Sequence, residues 1–448
     1  MSAQQAVARP WHVDLDRPPR TPHLDYAVVL MVVTWLAVVL PRFVQSLTSP
    51  KHAALINDAI PYSPTTALLS HALTVAVIGW CVIVIALRSA NLPTDRRRIL
   101  VILLAPWIYL ITRDFYAGVH LHLQDLEYPA IIIAVWVLRP PLRKLVVLGY
   151  LAAALALISV LMGTFLTSKG IYHARSGDLV PLDKKILPWG ILVGPLTSEN
   201  NLGQALVLGL PLIGLARNRI VRLVVILLTA YAIVWTASRS SIAAMAVGGL
   251  IALALQVPGR KLRQVVAVVA LLAAGLVMIA IPVSTSVGTD FTNRGYIWIT
   301  SLRAWSQHRV FGLGSQYYSS LAKYEEGLGG QAFHGHNTFV QMVVVGGAVG
   351  LVLVAAIAIV SLGSAVRWVG RGVNVPAVLL GTFFVSATLE WSFGFYDRDF
   401  LLAVTVLPLA MVLFAPRPRD DGQEDGSQHR VGVLGAHDQT QQLNASHS

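Results

Sequence analysis

Apolar residues run along this chain in blocks close to the length of a bilayer crossing, and polar residues collect between them. The blocks fall at about 25–46, 65–87 and 99–117, then one ending near Leu138, then 145–166, 201–216, 223–237, 242–257, 264–283, 338–362, 375–393 and 400–415. A helix needs about 20 apolar residues to span hydrocarbon. In lipid every backbone group must find its partner inside the protein, so such blocks read as helices. The alternation of outer-membrane strands is absent. The pattern predicts an all-α polytopic membrane protein of about twelve transmembrane helices over residues 25–415. Polar tails at 1–24 and 416–448 read as disordered. The first apolar block continues into a full span, so no cleavable leader is expected.

The polar segments between blocks fall into two kinds. Those at 88–98, 139–144, 217–222, 258–263 and 363–373 are short and basic, with almost no acid. Positive loops stay on the cytoplasmic side, which places both tails in the cytoplasm. The opposite loops are longer, mixed in charge and richer in histidine and aromatics. The largest, 284–337, lies between spans 9 and 10. With the 167–201 region and Arg239, it comes to the external face, where separate polar clusters can build one site.

Composition agrees with this layout. The chain is 55% hydrophobic and 12% charged, against about 25% charged in soluble proteins. The net charge of +12 belongs largely to the orienting loops, so it does not point to nucleic acid. Cys81 is the sole cysteine, which excludes an internal disulfide and a cysteine-based metal site.

The external face holds the candidate chemistry. Arg239, among Ser238, Ser240 and Ser241, reads either as a snorkelling helix cap or as an anion ligand, since guanidinium matches phosphate oxygens with a planar fork. Arg294 opens an amphipathic helix whose Trp298, Leu302 and Trp305 share one face, expected along the membrane interface, with Arg303 nearby. The dipole at a helix start disfavours a cation, so Arg294 calls for an anionic partner. His334 and His336 precede Asn337, a good cap for a helix from Thr338. Free N–H groups there would favour an anion beside His336, which as a neutral imidazole can accept a hydroxyl proton. A structural histidine is the plainer reading. A metal site shared with His120 and His122 lacks any carboxylate at ligand spacing, so no metal and no cofactor is expected. Tyr317 and Tyr318 stack on sugars or rest at the interface. Glu390 in span 11 is either functional or paired to an arginine such as Arg239.

These residues resemble a known family. The runs T-A-S-R-S-S-I-A-A-M (Thr236 to Met245), N-R-G-Y-I-W (Asn293 to Trp298), V-F-G-L-G (Val310 to Gly314), H-G-H-N-T-F-V-Q (His334 to Gln341) and G-G-A-V-G-L (Gly346 to Leu351) resemble the O-antigen ligase / O-antigen polymerase superfamily. The resemblance implies a helical fold of about twelve spans in the inner membrane. It implies transfer of a glycan from an undecaprenyl-diphosphate carrier to a glycan or lipid acceptor hydroxyl, without nucleotide sugar or required metal. It carries catalytic roles onto Arg239, Arg294 and His336. Arg175 stands in for an arginine the family has before span 6. Arg303, His334, Asn337, Tyr317 and Tyr318 complete the expected substrate-binding set. A twelve-span transporter or a flippase of lipid-linked glycans is the alternative. The six-residue loop between spans 6 and 7 and the absence of a repeat between halves weigh against a transporter.

Overall fold

Each apolar block carries a helix in the computed structural model, which describes residues 25–48, 63–172, 184–196, 198–318, 334–393 and 401–416. In chain order the helices are α1 (Tyr26–Thr48), α2 (Pro64–Arg88), α3 (Arg97–Tyr116), α4 (Glu127–Leu138), α5 (Val146–Phe165), α6 (Glu199–Gly209), α7 (Arg219–Trp235), α8 (Arg239–Ala254), α9 (Arg260–Ser284), α10 (Asp290–Gln307), α11 (Thr338–Gly370), α12 (Val375–Leu389) and α13 (Val406–Phe414). The described residues form no strand, only an isolated bridge between Ile171 and Leu192. Both expected tails, Pro416 apart, lie outside the described residues.

Six of the described helical segments are long and apolar enough to cross a membrane: α1, α2, α3, Leu142–Phe165 (α5 with the turn before it), α9 and α11. Helices α8 and α12 are apolar but shorter. The remaining blocks hold short helices, such as α4 with 12 residues and α13 with 9. Helix α6 passes at Pro211 into a tighter 3-10 segment, Leu210–Leu215, because proline withholds an N–H. Small residues let the neighbours approach. A Cβ at Gly149 would meet the Ile213 backbone N at 2.9 Å, and Gly209 lies against Ala152, the close packing that membrane helices rely on.

Helices α8 and α12 run antiparallel. Asn374 Nδ2 donates to Leu255 O at one end (3.2 Å), and Gly248 packs on Thr382 midway. The start of α8, with Arg239, therefore lies at the same end as Glu390, which caps the C-terminus of α12.

Helix α11 is broken. Gly347 has φ 63 and ψ −162, a conformation essentially restricted to glycine. The break would strand carbonyls on one side and amides on the other, which a membrane interior does not tolerate. The 309–314 segment satisfies both. Leu313 N donates to Val344 O (2.7 Å) and Gly314 N to Val345 O (3.1 Å). On the far side Ala348 N donates to Arg309 O (2.8 Å) and Val349 N to Val310 O (3.2 Å). Two residues of α3 lock the crossing. The Tyr109 hydroxyl lies 2.9 Å from Gly346 O and 3.1 Å from Phe311 O, and Arg113 Nη2 donates to Gly312 O at 2.8 Å. The two glycine-rich runs of the sequence are thus two faces of one joint. It leaves a short helix, Thr338 to Gly346, with its N-terminus at Asn337.

Candidate active site

Three elements converge where that short helix begins. Asn337 is its N-cap, and its Oδ1 accepts from Val340 N at 2.9 Å. Asn337 Nδ2 donates to Met278 O of α9 (2.8 Å) and Thr388 O of α12 (2.9 Å). Both carbonyls are free for a local reason. Pro282, four residues after Met278, has no N–H to give it, and Thr388 lies in the last turn of α12, whose carbonyls have no helical donor. One buried side chain thus ties three helices. Asn337→Ala removes the cap and leaves two buried carbonyls unpaired. It should lower stability by about 3 kcal/mol or more, read as a drop in the thermal midpoint in detergent.

The turn before the cap is pinned from both sides. Gly335 N donates to Gln341 Oε1 (2.7 Å), and Trp298 Nε1 donates to Gly335 O (3.0 Å). His336 sits at φ 44, in the left-handed region, one that few non-glycine residues adopt. His336 N donates to His334 Nδ1 at 3.0 Å, which leaves the proton of a neutral His334 on Nε2. The two rings lie 3.9 Å apart.

Glu390 faces this turn. It is 2% exposed and shared. Its Oε1 accepts from Arg294 Nη2 at 2.6 Å, while its Oε2 lies 3.5 Å from His336 Nδ1. The anionic partner called for by Arg294 is therefore within the chain, and Glu390 pairs with Arg294 rather than with Arg239. A left-handed turn, Phe291 to Asn293 (φ 53, 61 and 66), aims Arg294 inward. Its Nε is buried and has no hydrogen-bond partner among the described residues. The segment carrying Glu390 is itself fixed. Gln204 Nε2 of α6 donates to Ser392 Oγ at 2.7 Å, and Ser392 N donates to Thr338 Oγ1 at 3.3 Å.

Arg239 stands apart from this contact. It is exposed at the start of α8 and makes no ion pair among the described residues. Its neighbour Ser238 donates to Asn200 Oδ1 (3.0 Å) and bonds with Ser241 Oγ (3.0 Å). That joins the starts of α6 and α8. Below Asn200, Glu199 is paired with Lys184 at 2.8 Å. Arg303 is exposed further along α10 and Arg175 lies outside the described residues. Tyr317 and Tyr318 meet edge-on at 5.0 Å. Tyr318 is buried and its hydroxyl lies 3.1 Å from Ser301 Oγ. Trp298, expected at the interface, is fully buried instead, because its N–H has a partner in Gly335 and its ring packs on Phe291 at 5.2 Å.

His334, His336 and Glu390 place one potential metal ligand each within 4.8 Å of one another. The carboxylate missing from the local sequence is supplied from 54 positions downstream. The charge of the site disfavours a cation, because Arg294 already holds the same carboxylate and the helix N-terminus adds positive potential. His120 and His122 are exposed before α4 and do not join this group. Burial raises the nearby Asp125 carboxyl above its usual range, against the lowering bond from the His122 backbone N–H.

Residues 224–355 match the O-antigen ligase family. The chain carries an O-antigen ligase domain. The matched segment takes in Arg239, Arg294, the His334–Asn337 turn and the joint at Gly347, and it leaves Glu390, Gln204 and Lys184 outside. Among curated proteins, none matches the chain. The match and the apolar helices together support a multi-pass membrane protein, of the ligase/polymerase glycosyltransferase type at the level of the family.

Proposed function

We propose that the protein transfers a glycan from an undecaprenyl-diphosphate-type carrier to an acceptor hydroxyl on the external face of the inner membrane. In this reading the chain crosses twelve times with both termini in the cytoplasm, as the basic loops suggest. The observation that carries it is the carboxylate of Glu390 held between Arg294 and His336 at the N-terminus of the broken helix.

The chemistry follows from that geometry. A carboxylate beside His336 Nδ1 favours the tautomer with its proton on Nδ1. The Nε2 lone pair then takes the proton from the acceptor hydroxyl. The acceptor oxygen attacks the anomeric carbon as the bond from that carbon to the diphosphate oxygen breaks, with inversion. Arg294, Arg239 and the amides of the short helix stabilise the charge gathering on the departing lipid diphosphate. Arg175, Arg303, His334, Asn337, Tyr317 and Tyr318 make up the proposed substrate-binding surroundings, with Tyr318 acting from the core. No metal or cofactor enters the proposed steps.

Purified protein in proteoliposomes, given a lipid-linked glycan and an acceptor, tests this reading. Transfer to the acceptor with release of lipid diphosphate is expected. Movement of intact lipid-linked glycan across the bilayer without transfer would overturn it in favour of a flippase.

A further inference from the structure

The carboxylate of Glu390 meets both Arg294 and His336, and a diphosphate would compete for the arginine. We propose that Glu390 is an anionic placeholder: it occupies Arg294 until a lipid diphosphate displaces it, and the carboxylate then acts more strongly on His336. This inference rests on the reading of the site as a lipid-diphosphate glycosyltransferase.

The contacts make the exchange possible. Arg294 meets Glu390 through Nη2 at 2.6 Å and donates from Nη1 to Phe291 O at 3.3 Å, while its buried Nε is left without a hydrogen-bond partner among the described residues. A guanidinium favours two parallel bonds to an anion, so this pairing leaves donor capacity unused. Arg294 starts a helix, where its own charge is unfavourable, and the three left-handed residues before it hold it in place. Strain of this kind collects where a contact is made and broken. A diphosphate carries more charge than a carboxylate and presents more oxygens, so it can take Arg294 from Glu390.

The second half of the exchange falls on the base. Among the described residues, the charged and titratable groups around His336 include Glu390 at 3.5 Å, the His334 ring, Arg294 behind Glu390, and the Tyr318 hydroxyl packed on Gly335. While Arg294 holds Glu390, the arginine offsets the carboxylate's pull on the imidazole. Once Arg294 turns to the diphosphate, that offset is removed and Glu390 still faces His336. A nearby negative charge favours the protonated imidazole, so His336 becomes a stronger base when the donor is bound. Donor binding and base activation are thereby coupled through one residue.

The test uses farnesyl diphosphate as the probe, with wild-type protein and the Glu390→Gln and Arg294→Gln variants in nanodiscs. Glu390→Gln removes the competitor and should bind the probe about tenfold more tightly, a usual size for such coupling. The same variant should transfer glycan at least ~100-fold more slowly, with the acid limb of its pH–rate profile moved to lower pH. Arg294→Gln should lose probe binding. Glu390→Asp, which keeps the charge but shortens the reach to Arg294, serves if the glutamine variant does not fold, and should also bind more tightly than wild type. Weaker binding by the Glu390 variants, in step with Arg294→Gln, would overturn the placeholder role and leave the glycosyltransferase reading intact. Failure of wild type and every variant to bind the probe would overturn both.

Discussion

His336→Asn is expected to lower glycan transfer by about 10³-fold, since a positioned general base contributes 10²–10⁴. Asparagine is the informative choice because position 336 has φ 44, and asparagine tolerates the left-handed region better than alanine does. It also leaves the Arg294–Glu390 pair in place, so the fold should survive. Arg294→Ala should cost as much in rate through lost stabilisation of the leaving diphosphate, and it should cost stability too. It takes the arginine from a carboxylate that is 2% exposed, and breaking a buried pair from one side costs about 3–5 kcal/mol. Arg294→Ala with Glu390→Gln should recover most of that stability and none of the activity. The check is transfer by purified variants set beside their thermal midpoints. Wild-type rates in His336→Asn would remove the histidine from the chemistry.

The largest effect on the fold is expected at Gly347. A Cβ there would overlap Gly312 N and the Val310 carbonyl, and the backbone at φ 63, ψ −162 excludes other residues on its own account. Gly347→Val has no way to keep both halves of α11 bonded to the 309–314 segment. The loss should exceed ~4 kcal/mol, above the usual range for a single substitution, and leave no monodisperse protein in detergent. Gly249 supplies the control. It sits in a regular helix, and a Cβ added there meets nothing within 4 Å, so Gly249→Ala should be neutral or stabilising by up to about 1 kcal/mol. Equal behaviour of the two variants on size-exclusion chromatography would contradict the joint.

The helices were legible because each apolar block is long and its ends are marked by charge or proline. The helix from Arg294 and the cap at Asn337 were legible too, since each follows from local rules about dipoles and end groups. The use of Trp298 was not. Its position on an amphipathic face fits a membrane interface equally well, and only the Gly335 carbonyl, 37 residues away, decides for burial. The shared carboxylate was half legible. An acid within an apolar block signals a partner, but sequence distance could not choose between Arg239 and Arg294. The two glycine-rich runs gave no hint that they touch, because backbone-to-backbone contacts carry no side-chain signature. Pro282 was a further clue, to the packing around Asn337, as it frees the Met278 carbonyl that Asn337 takes.

The proposed chemistry places a lipid diphosphate against Arg294, near the start of the broken helix. A cryo-electron microscopy structure of the protein in nanodiscs with undecaprenyl diphosphate tests it most directly. Diphosphate oxygens are expected within hydrogen-bond distance of the Arg294 guanidinium, on the side of Arg239, with Glu390 turned to His336. A diphosphate bound instead at the basic loops 217–222 or 258–263, with the Arg294–Glu390 pair unchanged, would contradict it.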